Sequence, residues 1–212
     1  MVPVLHGEKD GYITTVEGKN DLIVNFTYEE LKNKVILNNG DYIPTLEEVL
    51  DEAKGKLIVN IELKGEDLHL LDKIFEILGK KNMFGDINFS SFYHPFYARY
   101  IDLKERYKVE EDVMFGFLMW KNNEVKSFFE NVPKDFWRYK NSINFDVELL
   151  LKFKWMRKKI IEFRQKGVMI TIYFPFKIKE NYPLLNILTG FGVDRVICND
   201  PLILKKYNEL FE

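Results

Sequence analysis

Glu62 and Lys64 stand two residues apart at the end of the run Leu57-Ile58-Val59-Asn60-Ile61-Glu62-Leu63-Lys64. A nearly continuous apolar run reads as a strand of a parallel sheet, buried on both faces. Side chains alternate along a strand, so the spacing puts the acid and the base on one side. A carboxylate there is an oxygen ligand for a hard cation such as Mg²⁺ or Ca²⁺. An ammonium beside it holds an anionic oxygen as a point charge. Together they suit a phosphorylated substrate. An ion pair fraying into the following turn is the bland reading of the same residues. His6, in phase with Val2 and Val4, ends another strand-like run. A neutral imidazole there serves as a general acid or base near pH 7, or as a core histidine bonded to backbone.

The elements that position these residues alternate along the chain. Strand-like runs cover Val2–His6, Leu57–Lys64, Asp86–Phe92, Val113–Trp120, Ser142–Val147, Val168–Phe174 and Val193–Asn199. Between them, Leu71, Ile74, Phe75 and Leu78 repeat at helical spacing, as do Phe153, Met156, Ile160 and Phe163. Thr45 with Glu48 three residues on is a capping box that opens a further helix, to about Ala53. Others fit His94–Tyr107, Glu124–Glu130, Asn181–Gly190 and Pro201–Phe211. Alternation of this kind predicts βα units and a parallel sheet. Seven strands predict a TIM-type (β/α) barrel with its first βα unit missing, since a full barrel takes about 250 residues and this chain has 212. An open doubly wound sheet is the rival, but no Gly-rich phosphate fingerprint follows the first strand. Residues 1–212 read as one domain with an irregular insert at about 11–40.

In a barrel, chemistry sits where strands end. Besides His6, Glu62 and Lys64, those positions hold Ser90, Ser91, Trp120, Asp146, Tyr173 and Asp200. His69 and His94 read as surface or capping residues. The basic residues Lys152, Lys154, Arg157, Lys158, Lys159, Arg164 and Lys166 share one helix. A solvated outer face accounts for them better than a peripheral membrane contact. Phe128, Phe129, Phe136 and Trp137 are expected to pack under a loop. A net charge of −2 excludes wholesale nucleic-acid binding. No apolar stretch approaches the ~18 residues of a transmembrane segment. The single cysteine, Cys198, excludes an internal disulfide framework and fits a cytoplasmic location.

Five motifs, in order, resemble the glycerophosphodiester phosphodiesterase family. Val2-Pro3-Val4-Leu5-His6 followed by Thr14-Thr15 resembles its second-strand motif, and Ile43–Leu50 the helix before its third strand. Ile61-Glu62-Leu63-Lys64 is similar to its Glu-x-Lys motif, Ser91-Phe92 to its Ser-Phe pair, and Gly192-Val193-Asp194 with Asn199-Asp200-Pro201 to its last-strand ending. The resemblance implies a barrel that cleaves glycerophosphodiesters, or substrates derived from phospholipid, to an alcohol and glycerol 3-phosphate with a divalent cation. It carries His6 over as an acid–base histidine, Glu62 as a metal ligand and Lys64 as a phosphate contact. The family's first-strand His-Arg and Glu-Asn motifs have no counterpart, and Gly7 stands where it has a metal-binding Asp. Glu8, or more distantly Asp10, is the substitute ligand. Near strand seven, Ile172-Tyr173-Phe174-Pro175 keeps an aromatic and loses the family's polar partners. The resemblance thus implies a truncated or degenerate member, impaired in catalysis and with a weakly bound Mg²⁺ or Ca²⁺. The alternative is a non-catalytic barrel that binds a phosphorylated ligand or a partner protein.

Overall fold

The computed structural model describes residues 3–4, 12–36, 40–175 and 178–209. The chain divides into two compact units, Met1–Val113 and Met114–Glu212.

The first unit opens with an antiparallel pair, β1 (Tyr12–Thr14) and β2 (Asn20–Leu22), then a 3₁₀ turn at Ile23–Asn25 and α1 (Tyr28–Lys34). The segment read as irregular therefore carries regular elements. The reason is local: Thr27 and Glu30 form a capping box that starts α1, and Ile13, Leu31, Val35 and Ile43 bury a small core of their own. A second capping box, Thr45 with Glu48, starts α2 (Leu46–Ala53). Of the run Val2–His6, only Pro3 and Val4 are described. Val4 bridges to Thr45 and Pro3 O accepts from Leu46 N.

β3 (Val59–Leu63) and β4 (Ile87–Ser91) then pair in parallel, separated by α3 (His69–Lys81) and followed by α4 (Phe96–Arg106). Buried Leu71, Ile74, Phe75 and Leu78 form the inner stripe of α3. At its end Asn82 takes the left-handed conformation (φ 51°) that lets the chain turn back into β4. Phe89 on β4 stacks on Phe75 at 5.7 Å and meets Tyr100 of α4 edge-on at 5.8 Å. Each such fully buried aromatic contributes about 1.5–3 kcal/mol. This packing fixes the outer face of the pair, which leaves Asn60, Glu62, Asn88 and Ser90 on the other.

The second unit has four parallel strands paired in chain order: β5 (Phe115–Met119), β6 (Asn141–Asp146), β7 (Met169–Tyr173) and β8 (Arg195–Ile197). Between and after them lie α5 (Asn122–Glu130), α6 (Val147–Lys152), α7 (Lys154–Gln165), α8 (Tyr182–Gly190) and α9 (Pro201–Asn208). The aromatics expected under a loop instead form the packing between strand and helices. Phe117 of β5 meets Phe128 and Phe136 at 5.0 and 5.4 Å, and Phe129 meets Phe163 of α7 at 4.7 Å. Asp194 ties β8 to β7: its carboxylate accepts from Ile170 N at 2.8 Å and from the Arg164 guanidinium. No helix among the described residues is long and apolar enough to cross a membrane.

Candidate active site

Glu62 and Lys64 lie on one side of the carboxyl end of β3, with Ile61 and Leu63 buried on the other. The Lys64 ammonium is 3.5 Å from Glu62 Oε1, and the two side chains are 44% and 37% exposed. β3 is thus buried on one face and not on both as its apolar run predicts, and a pair this open contributes only about 0–1 kcal/mol to stability, so stability does not explain its place at the strand's end. In register, Glu62 stands opposite Ser90, whose Oγ accepts from Asn60 Nδ2 at 3.0 Å. Ser91 Oγ donates to Leu63 O at 2.8 Å and accepts from Tyr93 N at 3.0 Å. It thereby clamps the peptide between Glu62 and Lys64. His6 and Glu8, expected beside this pair, lie outside the described residues, as does Asp10.

Other strand-end residues are occupied in building the fold. Asp146 caps α6, accepting from Glu148 N at 2.8 Å, and Asp200 caps α9, accepting from Leu202 N at 3.0 Å. Tyr173 Oη donates to Met119 O at 2.9 Å, from β7 to β5. Trp120 is 60% exposed, with the Lys121 ammonium 4.8 Å from its ring centre. His69 is a surface residue 3.8 Å from Asp72, and His94 offers its carbonyl to Tyr97 N at the start of α4. The basic residues run from the end of α6 through α7 and do not share one helix, and much of the cluster is paired: Lys159 and Lys166 with Glu162, Arg164 with Asp194, and Arg157 over the Phe191 ring at 4.2 Å.

Sequence reasoning missed a second set of polar residues on β6 and β7. Ser142, Asn144 and Thr171 are all buried. Ser142 Oγ donates to Asn144 Oδ1 at 2.7 Å, and Asn144 is in register with Thr171, whose buried hydroxyl has no partner among the described residues. Gly116 of β5 leaves room for them, since a Cβ there would overlap Asn144 Nδ2 and come within 3.0 Å of Ser142 Oγ. The signal was the period-two alternation of Ser142, Asn144 and Asp146 with Ile143 and Phe145.

The fit of a divalent cation rests on the donors present. Among the described residues no three His, Cys, Asp or Glu side chains come together to hold a metal. Glu62 faces the Lys64 ammonium, so a cation held there would need a further ligand from outside the described residues. A shallow concavity of about 500 Å³ at the starts of α8 and α9, lined by Tyr182, Leu202 and Lys206 among others, contains neither Glu62 nor Lys64.

Compared with known proteins, the chain matches no family model and no curated protein sequence. It is similar to solved structures. One is of an assigned glycerophosphodiester phosphodiesterase from Galdieria sulphuraria, with TM-score 0.72 and 22% identity over 97% of this chain and 80% of that one. A second, from Parabacteroides distasonis, gives TM-score 0.69 and 18% identity over 100% and 84%. A third, from Silicibacter pomeroyi, gives 0.68 and 14% over 94% and 76%. The parallel βα units described above therefore follow the fold of the glycerophosphodiester phosphodiesterases, a TIM-type (β/α) barrel.

Proposed function

We propose that the chain is a phosphoric diester hydrolase of lipid metabolism that converts a glycerophosphodiester to an alcohol and glycerol 3-phosphate. The observation that carries this reading is the half-exposed Glu62–Lys64 pair at the carboxyl end of β3, held by the Ser91 clamp. The fold likeness supports it. In this reading Lys64 neutralises a phosphate oxygen, and Glu62 orients Lys64. A water oxygen bonds to phosphorus, its proton passing to solvent, as the P–O bond to the alcohol breaks. His6 supplies the proton that the leaving alkoxide takes.

A weakly bound Mg²⁺ or Ca²⁺ belongs to the same proposal, with Glu62 and Glu8 as its ligands. It would offset phosphate charge. Affinity for such ions rises with the number of charged oxygen ligands, so one described carboxylate makes for weak binding and slow turnover. A cytoplasmic location also belongs to the proposal and rests on the single cysteine. The exposed Lys64 ammonium, which can hold an anionic oxygen whether or not a bond is cleaved, supports a second reading, a barrel that binds a phosphorylated ligand without cleaving it.

The test is conversion of glycerophosphocholine to glycerol 3-phosphate, followed by ³¹P NMR with Mg²⁺, Ca²⁺ or chelator. Slow turnover that needs the cation supports hydrolysis. Binding of glycerol 3-phosphate without turnover supports the second reading. Fast turnover in chelator contradicts the cation assignment.

A further inference from the structure

Within the first unit, the side chains around Lys32 have the composition of a cation receptor. The Lys32 ammonium faces two aromatic rings at once, 4.9 Å from the centre of Tyr28 and 5.0 Å from that of Tyr42. Tyr28 and Lys32 are one turn apart on α1, whereas Tyr42 belongs to the segment leading into α2. Both phenols donate to one carboxylate: Tyr28 to Glu48 Oε2 at 3.2 Å and Tyr42 to Glu48 Oε1 at 2.8 Å. Glu48 is held in turn by the capping box of α2, accepting from Thr45 N at 2.7 Å and Thr45 Oγ1 at 2.9 Å. Two rings and a carboxylate are thus set in place by hydrogen bonds that do not involve Lys32.

The occupant is held less firmly than the walls. Among the described residues the Lys32 ammonium makes no ion pair or hydrogen bond, and an exposed cation–π contact favours it by only about two- to five-fold. A primary ammonium is also strongly hydrated and gives up water reluctantly. A quaternary ammonium has no N–H to lose, spreads its charge over methyl groups and is the cation that aromatic cages take best. Lys32 lies on a flexible stem that can swing into water.

We propose that Tyr28, Tyr42 and Glu48 form a receptor for a quaternary ammonium group, and that Lys32 is an internal occupant which the ligand displaces. Taken with the proposed function, on which this step alone rests, the group is the choline moiety of a diester.

The test is titration of the full chain with tetramethylammonium chloride, against sodium chloride at equal ionic strength, read from the NMR shifts of the tyrosine rings. A saturable shift of Tyr28 and Tyr42 is expected. Lys32→Ala, which empties the cage, should tighten binding about two- to five-fold. Tyr42→Leu should weaken it by at least the same factor, and Tyr42→Phe should weaken it less than the leucine does, because it keeps the ring that meets the cation and loses only the hydrogen bond that positions it. Tyr42 is 44% exposed, so the leucine opens no core. Unchanged or weaker binding in Lys32→Ala, or full binding in Tyr42→Leu, overturns the proposal. Competition by glycerophosphocholine assigns the receptor to a soluble head group, and co-sedimentation with phosphatidylcholine vesicles assigns it to a bilayer. Neither result overturns the choline assignment. Tetramethylammonium binding without turnover of any diester removes the proposed function and leaves the receptor standing. Turnover without binding does the reverse.

Discussion

On β3, Asn60, Glu62 and Lys64 alternate with the buried Ile61 and Leu63; on β6, Ser142, Asn144 and Asp146 alternate with the buried Ile143 and Phe145. The same period of two yields two different polar faces. The β3 face is charged and half open to water, and its pair is worth little to stability. The β6 face buries the neutral Ser142 and Asn144, spends Asp146 on capping a helix, and leaves the Thr171 hydroxyl beside it without a partner among the described residues. Charge that stability does not need marks a place for chemistry. Buried neutral polar groups, each costly if unpaired, belong to the architecture of their own unit.

If the contrast holds, the two faces respond to mutation in opposite currencies, activity for one and stability for the other. The largest effect is expected at Lys64. Lys64→Met keeps the stem and removes the charge, and should lower diester turnover about 10²–10³-fold with thermal stability unchanged. Equal losses of activity and stability would break the distinction. Next is Gly116→Ala, whose methyl group overlaps the Asn144 amide. It should cost about 1–3 kcal/mol in urea unfolding, the ordinary penalty of overpacking. Thr171→Val should go the other way and raise stability by about 1 kcal/mol, because it removes a buried hydroxyl that has no partner among the described residues.

The smallest effect lies outside both faces. Hydrogen bonds from Thr45 N, Tyr42 Oη and Thr45 Oγ1 hold the Glu48 carboxyl down to about 2 from its ordinary 4.5. A depressed carboxyl stabilises the fold above its unfolded value and loses that contribution as pH falls from about 4.5 to 2. Glu48→Gln should therefore melt below the wild-type chain at pH 6, and the two should converge near pH 2. A difference unchanged across that range would contradict the assignment.

Much of the fold was legible because strands of a parallel sheet are written as apolar runs: five of the six strands from β3 to β8 fall within segments read from the sequence, and β6 starts one residue before its segment, at Asn141. What was missed has specific causes. α1 is short and polar, and only the Thr27–Glu30 box betrays it, the same signature that was recognised at Thr45–Glu48. α6 was hidden because Asp146 ends a strand and caps a helix at once, and a sequence does not say which use its carboxylate serves. Asp200 carries the same ambiguity. At the site, alternation alone placed Glu62 and Lys64 together. Ser91 was legible as a strand-end hydroxyl, but its partner, Leu63 O, lies 28 residues away across a pairing that no local pattern encodes.

The central claim is that the Glu62–Lys64 end of β3 does the chemistry, and Glu62→Gln, which keeps shape and removes charge, tests it most directly. Purified wild-type and variant chains, matched for thermal unfolding, would be compared for release of glycerol 3-phosphate from glycerophosphocholine with added Mg²⁺ or Ca²⁺. The account predicts slow, cation-dependent release by the wild type and none above background from the variant. Equal rates in the two chains, whether or not cation is present, would contradict it.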